Sequence, residues 1–561
     1  MNLIEKVLMA HNRLIYIPLG GAGEVGMNMY VYGFGPVGLE RYIIVDLGVT
    51  FPDMEHSPGV NLILPDIRWI EERKDRLDGI FITHAHEDHV GALGHLFSRL
   101  DAPIFARKFT AHIAKLKMEE HGQDINKINI VDEMPSQVSL GSFKVGFMPV
   151  SHSIPEASAL IIDTPEGRIV HSGDFKLDET PGVGDSFNRE AWSSLGPVKT
   201  LVCDSTNIFV HHRGGSERSV SSPLKKLIKS AGGMVIATTF ASNIARVKTL
   251  ADAGISSGRS VVLLGRAMKR MVKAALETGV LSDFPATISA QEAQSFSRAK
   301  LLLLVTGSQG ESRAASSQLS RGKYQGLSLK KGDIFVFSSK TIPGNEISVG
   351  RIVNNLSEMG VDVVDDSMGD FHVSGHANRP DLVEFHQLIK PDNIIPMHGE
   401  HRMMREHCKV AQGGGFRTIL ATNGSAVCLS GKAHEVIDQI DTGRLYLDGL
   451  IYSRATDGVI KDRIRLALNG HVTIGILIDE DDAPLEDSWC ELKGLPERGT
   501  SMEYLNDIIE GSINQSLQLM DPKTLVDDSK VEEQLRKIVR QISMSEIGKK
   551  PEVTILVSRL A

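Results

Sequence analysis

The chain has 561 residues, with 61 Lys and Arg against 70 Asp and Glu, a formal net charge of −9, and 41% hydrophobic residues. Its length exceeds one hydrophobic core and implies about three domains, while the acidic balance argues against a uniformly basic nucleic-acid coat. No apolar run reaches the roughly 18 residues of a membrane span, and the four scattered cysteines form no CxxC pair, so a disulfide framework or thiolate zinc finger is excluded and a reducing cytoplasm is expected. The opening "MNLIEKVLMAHNRLIYIPLGG" carries an early Glu and no long apolar stretch, so it does not read as a secretory signal.

From residue 12 to about 210 short apolar runs alternate with turns: "RLIYIPLG", "YIIVDLG", "GIFITH", "PIFA", "FKVGFMPV", "SALIIDT", "RIVHSGD" and "TLVCDST". These are buried strands, with a helix around 109–121, and together they describe a layered α/β domain. The glycines of "GGAGEVG" have the G-x-G-x-x-G spacing of a dinucleotide site, with Asp46 twenty residues on. They lead into "MNMYVYGFG", a further strand rather than a helix N-terminus, so a tight turn between strands is the better reading. From about 215, "SPLKKLIKSAGGMVIATTF", "NIARVKTLADAG", "SVVLLGRAMKRMVKAALETG", "AKLLLLVTGSQG" and "GDIFVFSS" alternate helix and strand as a doubly wound sheet does. After "DLVEFHQLIKPDNIIPMHGEH" the strand-and-turn texture returns, so one α/β domain is inserted in another. The end of the chain holds "HVTIGILID", helices near 503–519 and 529–545, and "EVTILVSRL", a small α/β module. The expected division is 1–214 and 381–445 for the outer domain, 215–380 for the insert, 446–464 for a linker and 465–561 for the terminal module.

The stretch "THAHEDH" places His84, His86, Asp88 and His89 within six positions at a strand end. Alternate residues of an extended segment share a face, so His84 and His86 can grip one ion, and Asp88 and His89 a second as the chain turns. Zinc accepts imidazole and carboxylate ligands without cysteine. One loop cannot complete two coordination spheres. His152 in "PVSHSIPEA", Asp174 in "HSGDFK" and His398 in "PMHGEH" each follow a short strand and can supply the remainder.

With those downstream residues, "THAHEDH" resembles the metallo-β-lactamase fold, an αββα sandwich, and Asp46 in "IIVDLG" matches its first motif, a carboxylate that orients ligands. The resemblance implies two zinc ions per subunit: His84, His86, His152 and Asp174 around one, and Asp88, His89, His398 and the bridging Asp174 around the other. "CDST" (Asp204), "HVSGHA" and "MHGEH" resemble the three further motifs of the β-CASP nucleases, and "TGSQGESRAA" and "FSSKTIPGNE" resemble the ribonuclease J family. That resemblance covers about residues 10–460. It implies an inserted β-CASP domain, a C-terminal assembly domain, and a 5′-to-3′ exoribonuclease preferring 5′-monophosphate ends, with endonuclease activity as a further expectation, in RNA maturation and mRNA decay. A histidine at 398 is typical of the RNA-processing members, DNA-processing relatives carrying valine. The expected chemistry is two-metal hydroxide attack, Mn2+ or Mg2+ being alternatives to zinc, with His372 as proton donor or transition-state stabiliser, oriented by Asp204. His372, Val373, Ser374, Gly375 and His376 are expected to hold RNA.

Between Arg218 and Lys273 there are 11 Lys and Arg and one acid, Asp252. This bias could steer a phosphate backbone, and Arg266, Lys269, Arg270 and Lys273 share a helical side. Few aromatics accompany them, so sequence-tolerant cutting of single-stranded RNA is expected. A homodimer or homotetramer and RNA-degradation or ribosome-associated partners are implied by the resemblance, without membrane attachment. The alternatives are a DNA-processing nuclease of the same family, a small-ester or lactone hydrolase, and a non-catalytic RNA-binding subunit.

Overall fold

The structure is a computed structural model that describes residues 12–431 and 434–560, so most of the segment weighed as a signal sequence lies outside the described residues. The chain divides into two compact units, one of Met1–Thr50 with Leu64–Gly443 and a second of Phe51–Ile63 with Arg444–Ala561.

The first unit is an αββα sandwich with an inserted α/β domain. One sheet runs, in spatial order, Glu435–Gln439, Ser425–Cys428, Asn12–Gly20, Met29–Pro36, Arg41–Val45, Leu77–Phe81, Ile104–Ala106 and Ile128–Ile130. The facing sheet runs Arg417–Thr418, Asn393–Met397, Thr200–Asp204, Gly167–His171, Ser158–Thr164, Phe143–Pro149 and Gln137–Leu140. Strands of both sheets alternate side chains into one shared layer, where Tyr16, Tyr32, Phe81 and Val45 meet Phe147, Leu160, Val202 and Ile395. The glycine-rich segment joins antiparallel strands Asn12–Gly20 and Met29–Pro36, and Gly21, Gly23 and Gly26 all take positive φ, as a turn between strands requires. It opens no dinucleotide-binding helix.

The insert holds a parallel sheet in the order Ser260–Leu264, Leu301–Val305, Val235–Thr238, Ile334–Phe337 and Asp362–Val364. The chain begins at the central strand, passes to the edge strand Ser260–Leu264, returns to fill the place between with Leu301–Val305, then crosses over and builds to the other edge. The order therefore reverses between Val235–Thr238 and Ile334–Phe337, and a crevice forms at the carboxyl ends of such strands.

In the second unit Trp489–Lys493, His471–Ile478 and Glu552–Arg559 form a sheet whose core face, Val472, Ile474 and Ile555, packs on helices Leu505–Gln518 and Asp528–Ile547 through Ile509, Ile513, Val531 and Leu535. The stretch 446–464, expected as a linker, carries parts of the hairpin strands Arg444–Asp448 and Ile451–Arg454 and of the helix Val459–Asn469. No helix among the described residues is long and apolar enough to cross a membrane.

Candidate metal centre and substrate cleft

Asp46, His84, His152, Asp174, Asp204 and His398 all lie at or just beyond the carboxyl ends of sandwich strands: Arg41–Val45, Leu77–Phe81, Phe143–Pro149, Gly167–His171, Thr200–Asp204 and Asn393–Met397. Parallel pairing of Gly167–His171 with Thr200–Asp204, and of that strand with Asn393–Met397, brings three of these ends side by side. After His84 the chain stays extended through His86 and then makes one helical turn, Glu87–Val90, which carries Asp88 and His89 inward. Gly48 permits this turn to lie against the Asp46 loop, because a Cβ there would fall 1.7 Å from the Asp88 carbonyl oxygen.

Two groups of potential ligand atoms result, each lying within 4.8 Å of one another: His84, His86, His152 and Asp174, and Asp88, His89, Asp174 and His398. Asp174 belongs to both. Its Oδ2 is 3.2 Å from His89 Nε2 and 3.7 Å from both His84 Nε2 and His152 Nε2, while Oδ1 is 2.6 Å from His398 Nδ1.

The hydrogen bonds behind the rings define which nitrogen faces inward. Asp46 Oδ2 accepts from His89 Nδ1 at 2.7 Å and from Thr83 Oγ1 at 2.8 Å, while Oδ1 accepts from the Thr83 amide at 2.7 Å. Because the Thr83 hydroxyl proton goes to Asp46, its oxygen accepts from His84 Nδ1 at 3.0 Å. The Gly375 carbonyl accepts from His152 Nδ1 at 2.6 Å. His84, His89 and His152 therefore all turn an Nε2 lone pair towards Asp174, as ligating histidines with oriented outer nitrogens do. His86 Nδ1 stands 3.1 Å from His84 Nε2 and 3.2 Å from His152 Nε2, and its Nε2 meets Ser242 Oγ of the insert at 3.1 Å.

The electrostatics agree with a site built for cations. Burial, then the charge of His89, push His84 well below the ordinary imidazole range, and burial holds His86 down to about 4, so both rings are neutral ligands at pH 7. Burial opposes a charge on His89 and His398, yet the carboxylates outweigh it: Asp174 raises both, and His398 reaches about 10. Buried carboxylates of this density require positive charge among them. The His398 Nε2, 3.3 Å from Asp88 Oδ2, is buried without a hydrogen bond. The donor set and its lone-pair convergence fit a divalent metal. Asp46 and His398 also take positive φ, of 62° and 46°, a sparsely populated backbone region found at such sites.

Asp204 pairs with His376, not His372. Its Oδ2 accepts from His376 Nδ1 at 2.8 Å, whereas His372 Nδ1 accepts from the Arg246 guanidinium at 3.3 Å. The sequence expectation of an Asp204–His372 pair is thereby corrected. The turn 372–376 bends at Gly375, whose missing Cβ would fall 2.6 Å from Ser153 Oγ and 2.9 Å from His152 Cε1, and this close approach carries His376 to Asp204. Asp174, Asp204, His376 and His398 form a further group of ligand-type atoms within 4.8 Å.

His372 lies near three basic side chains, two of which are already paired in buried contacts, Arg246 with Glu217 and Lys176 with Asp178. Burial, then the charges of Arg246, Lys176 and Lys340, push its pKa down to about 3. Ser374 Oγ accepts from Asn207 Nδ2 at 2.8 Å, and Val373 packs against Gly215. The hydroxyls of Thr239 and Ser339, the second residues beyond strand positions 237 and 337 at the point of order reversal, are buried without a hydrogen-bond partner.

The basic bias is weaker than its count. Arg246 is fully buried in a paired contact with Glu217, and Arg259 donates to the carbonyls of Ile228, Ala231, Gly233 and Leu301. Of the four helix residues, all exposed, Arg270 pairs with Glu120 and Lys273 with Glu277, while Arg266 and Lys269 have no ion pair among the described residues.

Sequence reasoning passed over Asn28, Thr83, Ser242 and the basic residues Lys176, Arg246 and Lys340 near His372. Asn28 Nδ2 donates to the Asp88 carbonyl at 3.1 Å and lies 3.0 Å from His89 Nε2, and Tyr30 Oη fixes the amide by donating to Asn28 Oδ1 at 2.7 Å. Only its place just after the glycine turn could have flagged it. Cys203, His386 and His407 also cluster, but the two imidazole Nε2 atoms are 3.0 Å apart and satisfy one another.

Comparison with known proteins assigns the class first: residues 23–225 match the metallo-beta-lactamase superfamily and 361–421 the Zn-dependent metallo-hydrolase RNA specificity domain. Residues 232–356 match the ribonuclease J beta-CASP domain and 458–560 the ribonuclease J C-terminal domain. Ribonuclease J of Sinorhizobium meliloti is 37% identical over 98% of this chain and 97% of its own length. Those of Corynebacterium glutamicum (36%, over 88% of this chain and 68% of the relative) and Mycolicibacterium smegmatis (34%, over 93% of both) are also similar. The chain belongs to the ribonuclease J family, and is a metal-dependent nuclease of the hydrolase class. A crystal structure of a protein of unknown function from Enterococcus faecalis, 17% identical, aligns over 74% of this chain and 100% of its own with a TM-score of 0.51, which shows the shared fold.

Proposed function

We propose that this chain is a zinc-dependent ribonuclease that shortens single-stranded RNA from its 5′ end and prefers a 5′-monophosphate, working in the cytoplasm as a homodimer or homotetramer. The division into domains at about 214, 380, 445 and 464 belongs to the same proposal. The observation that carries the reading is the convergence of two groups of ligand-type atoms that share Asp174, beside the Asp204–His376 hydrogen bond.

His84, His86, His152 and Asp174 would hold one ion, and Asp88, His89, His398 and Asp174 the other. The first group offers three imidazoles and one carboxylate, a donor set that suits zinc, with Mn2+ or Mg2+ as substitutes. Two such ions, when bound, would supply an activated water and charge stabilisation for a reacting phosphodiester.

The chain's own residues do the rest. Burial works against charge on His376, but Asp204, by its charge and hydrogen bond, raises its pKa and keeps a proton available to the leaving 3′-oxygen. His372, held neutral, cannot be that acid. Its ring lies beside Arg246 and Lys176, already paired with Glu217 and Asp178, and beside Lys340, which has no ion pair among the described residues and suits an anion such as a terminal phosphate. A time course on 5′-monophosphorylated, 5′-triphosphorylated and DNA versions of one sequence, with His84→Ala as control, tests the reading. Fast loss of 5′ nucleotides from the monophosphorylated RNA is expected. Equal cutting of DNA, or an active His84→Ala protein, would falsify it.

A further inference from the structure

We propose that Phe209 and Arg402 form a nucleobase platform on the rim of the metal centre, stacking one unpaired base of the substrate strand. The inference rests on the ribonuclease reading above.

Phe209 is five residues beyond Asp204 and Arg402 four beyond His398, so each is tied by a short segment to a residue of the centre. Phe209 is 43% exposed, one of two phenylalanines exposed among the described residues of the first unit, and the Arg402 guanidinium lies 5.6 Å from its ring centroid. Arg402 is held there by Glu400, whose Oε2 accepts from Arg402 Nε at 2.6 Å.

The exposure does not come from a loose loop. Thr206 Oγ1 lies 2.7 Å from Asp204 Oδ1 and 3.1 Å from the His398 carbonyl oxygen, its single proton shared between the two acceptors, which stitches the start of the segment to both strand ends. Asn207 Nδ2 donates to Ser374 Oγ at 2.8 Å and Asn378 Oδ1 at 2.9 Å. On either side of the ring, the Ile208 carbonyl accepts from Arg379 Nε at 2.8 Å and the Val210 carbonyl from the Arg379 amide at 3.0 Å, and the Ile208 side chain is fully buried. A backbone pinned on both sides thus holds a partly exposed aromatic side chain five residues beyond Asp204, with a planar cation next to it.

Isolated exposed apolar side chains are ordinary and need no explanation. A rigid ring capped by a guanidinium beside phosphodiester chemistry has a specific use: every base has a π-face, so stacking holds a strand in register without reading its sequence, and arginine both stacks and reaches a phosphate. Bases within a duplex are unavailable to it, so the platform also selects for single strands.

The test walks one abasic residue along a 5′-monophosphorylated RNA, position by position from the 5′ end. Wild-type protein is expected to show a KM rise of about fivefold or more at one position, the lower end of base–aromatic stacking. Phe209→Ala should show that rise on the unmodified RNA, respond no further to the abasic position, and keep its metal content and thermal unfolding. Phe209→Trp should restore the wild-type profile. An identical abasic profile in wild type and Phe209→Ala, with RNA cleavage intact, overturns the platform alone. Failure of wild-type protein to cut any RNA overturns the ribonuclease reading and the platform together.

Discussion

Replacing Asp46 by Asn changes one atom and nothing in shape, and Asn tolerates the positive φ of 62° found there. In the native chain both carboxylate oxygens accept: Oδ1 from the Thr83 amide, Oδ2 from Thr83 Oγ1 and His89 Nδ1. In the variant Oδ1 can keep its bond, but an NH2 group faces the other two donors. His89 then relieves the clash by moving its proton to Nε2, the nitrogen 3.2 Å from Asp174 Oδ2, and so withdraws its lone pair from the centre. Thr83, unable to donate to Asp46, also ceases to be a clean acceptor for His84 Nδ1, so the disturbance reaches the other ligand group. Loss of such outer partners costs 10- to 100-fold in metal affinity, roughly 1.4–2.7 kcal/mol. Equilibrium dialysis against buffered zinc with elemental analysis measures the affinity, and imidazole 15N shifts report the tautomer. Wild-type metal affinity, or a His89 still protonated on Nδ1, would refute the tautomer argument.

Gly375→Ala puts a Cβ 2.6 Å from Ser153 Oγ, against an ordinary contact of about 3.5 Å, so the turn must retreat by several tenths of an ångström from His152. A fall in activity of around 100-fold with a stability loss of about 1–3 kcal/mol is expected from kinetics and urea unfolding; unchanged activity would remove the close approach as a requirement. Asp204→Asn tests the proton donor: a group with a raised pKa holds its proton below that pKa and loses it as pH rises, so removing Asp204's charge should shift the alkaline limb of the kcat profile to lower pH, and an unmoved limb assigns the proton elsewhere. For the basic helix, Arg266→Ala with Lys269→Ala should reduce the salt slope of RNA binding by up to ~1.4, about 0.7 per contact. The paired Arg270 and Lys273 should contribute less, and equal slopes for the two double variants would show that the ion pairs do not matter.

What could be read from the chain depended on how local each signal is. His84, His86, Asp88 and His89 sit in six consecutive positions, and His152, Asp174 and His398 each follow a short strand; parallel pairing with Thr200–Asp204 brings the ends bearing Asp174 and His398 together. The partner of Asp204 was not local. Two histidines four residues apart competed for it, and the choice turns on how tightly Gly375 packs against His152, a contact between segments 223 residues apart. Charge misled for a related reason. Arg246 and Arg259 count equally with Arg266 in a composition, but the first two are buried and direct their donors to Glu217 and to backbone carbonyls. Asn28 gave no signal, since its role exists only once the glycine turn has brought it onto the Asp88 loop.

The two crossings between sandwich and insert explain why metal chemistry and substrate handling are coupled in this fold. The chain leaves the sandwich through Asp204–Asn207 and returns through His372–Asn378, so both passages carry cleft residues. Asn207 ties the outgoing passage to Ser374, Asn378 and the His376 carbonyl on the returning one, and Ser242 of the insert touches His86 directly. Asp204 ends a sandwich strand whereas His376 lies on the returning passage, so the hydrogen bond between them spans the junction of sandwich and insert. In the proposed function an anion beside His372 would contact the same returning passage that carries His376, so occupancy there and proton delivery would be linked through the Asn207 hydrogen bonds. Substituting Asn207 by Ala cuts that link while leaving every ligand and cation in place. The preference for a 5′-monophosphate should then fade while metal content stays at the wild-type level, and a preference that survived would show that the surroundings of His372 and the centre act independently.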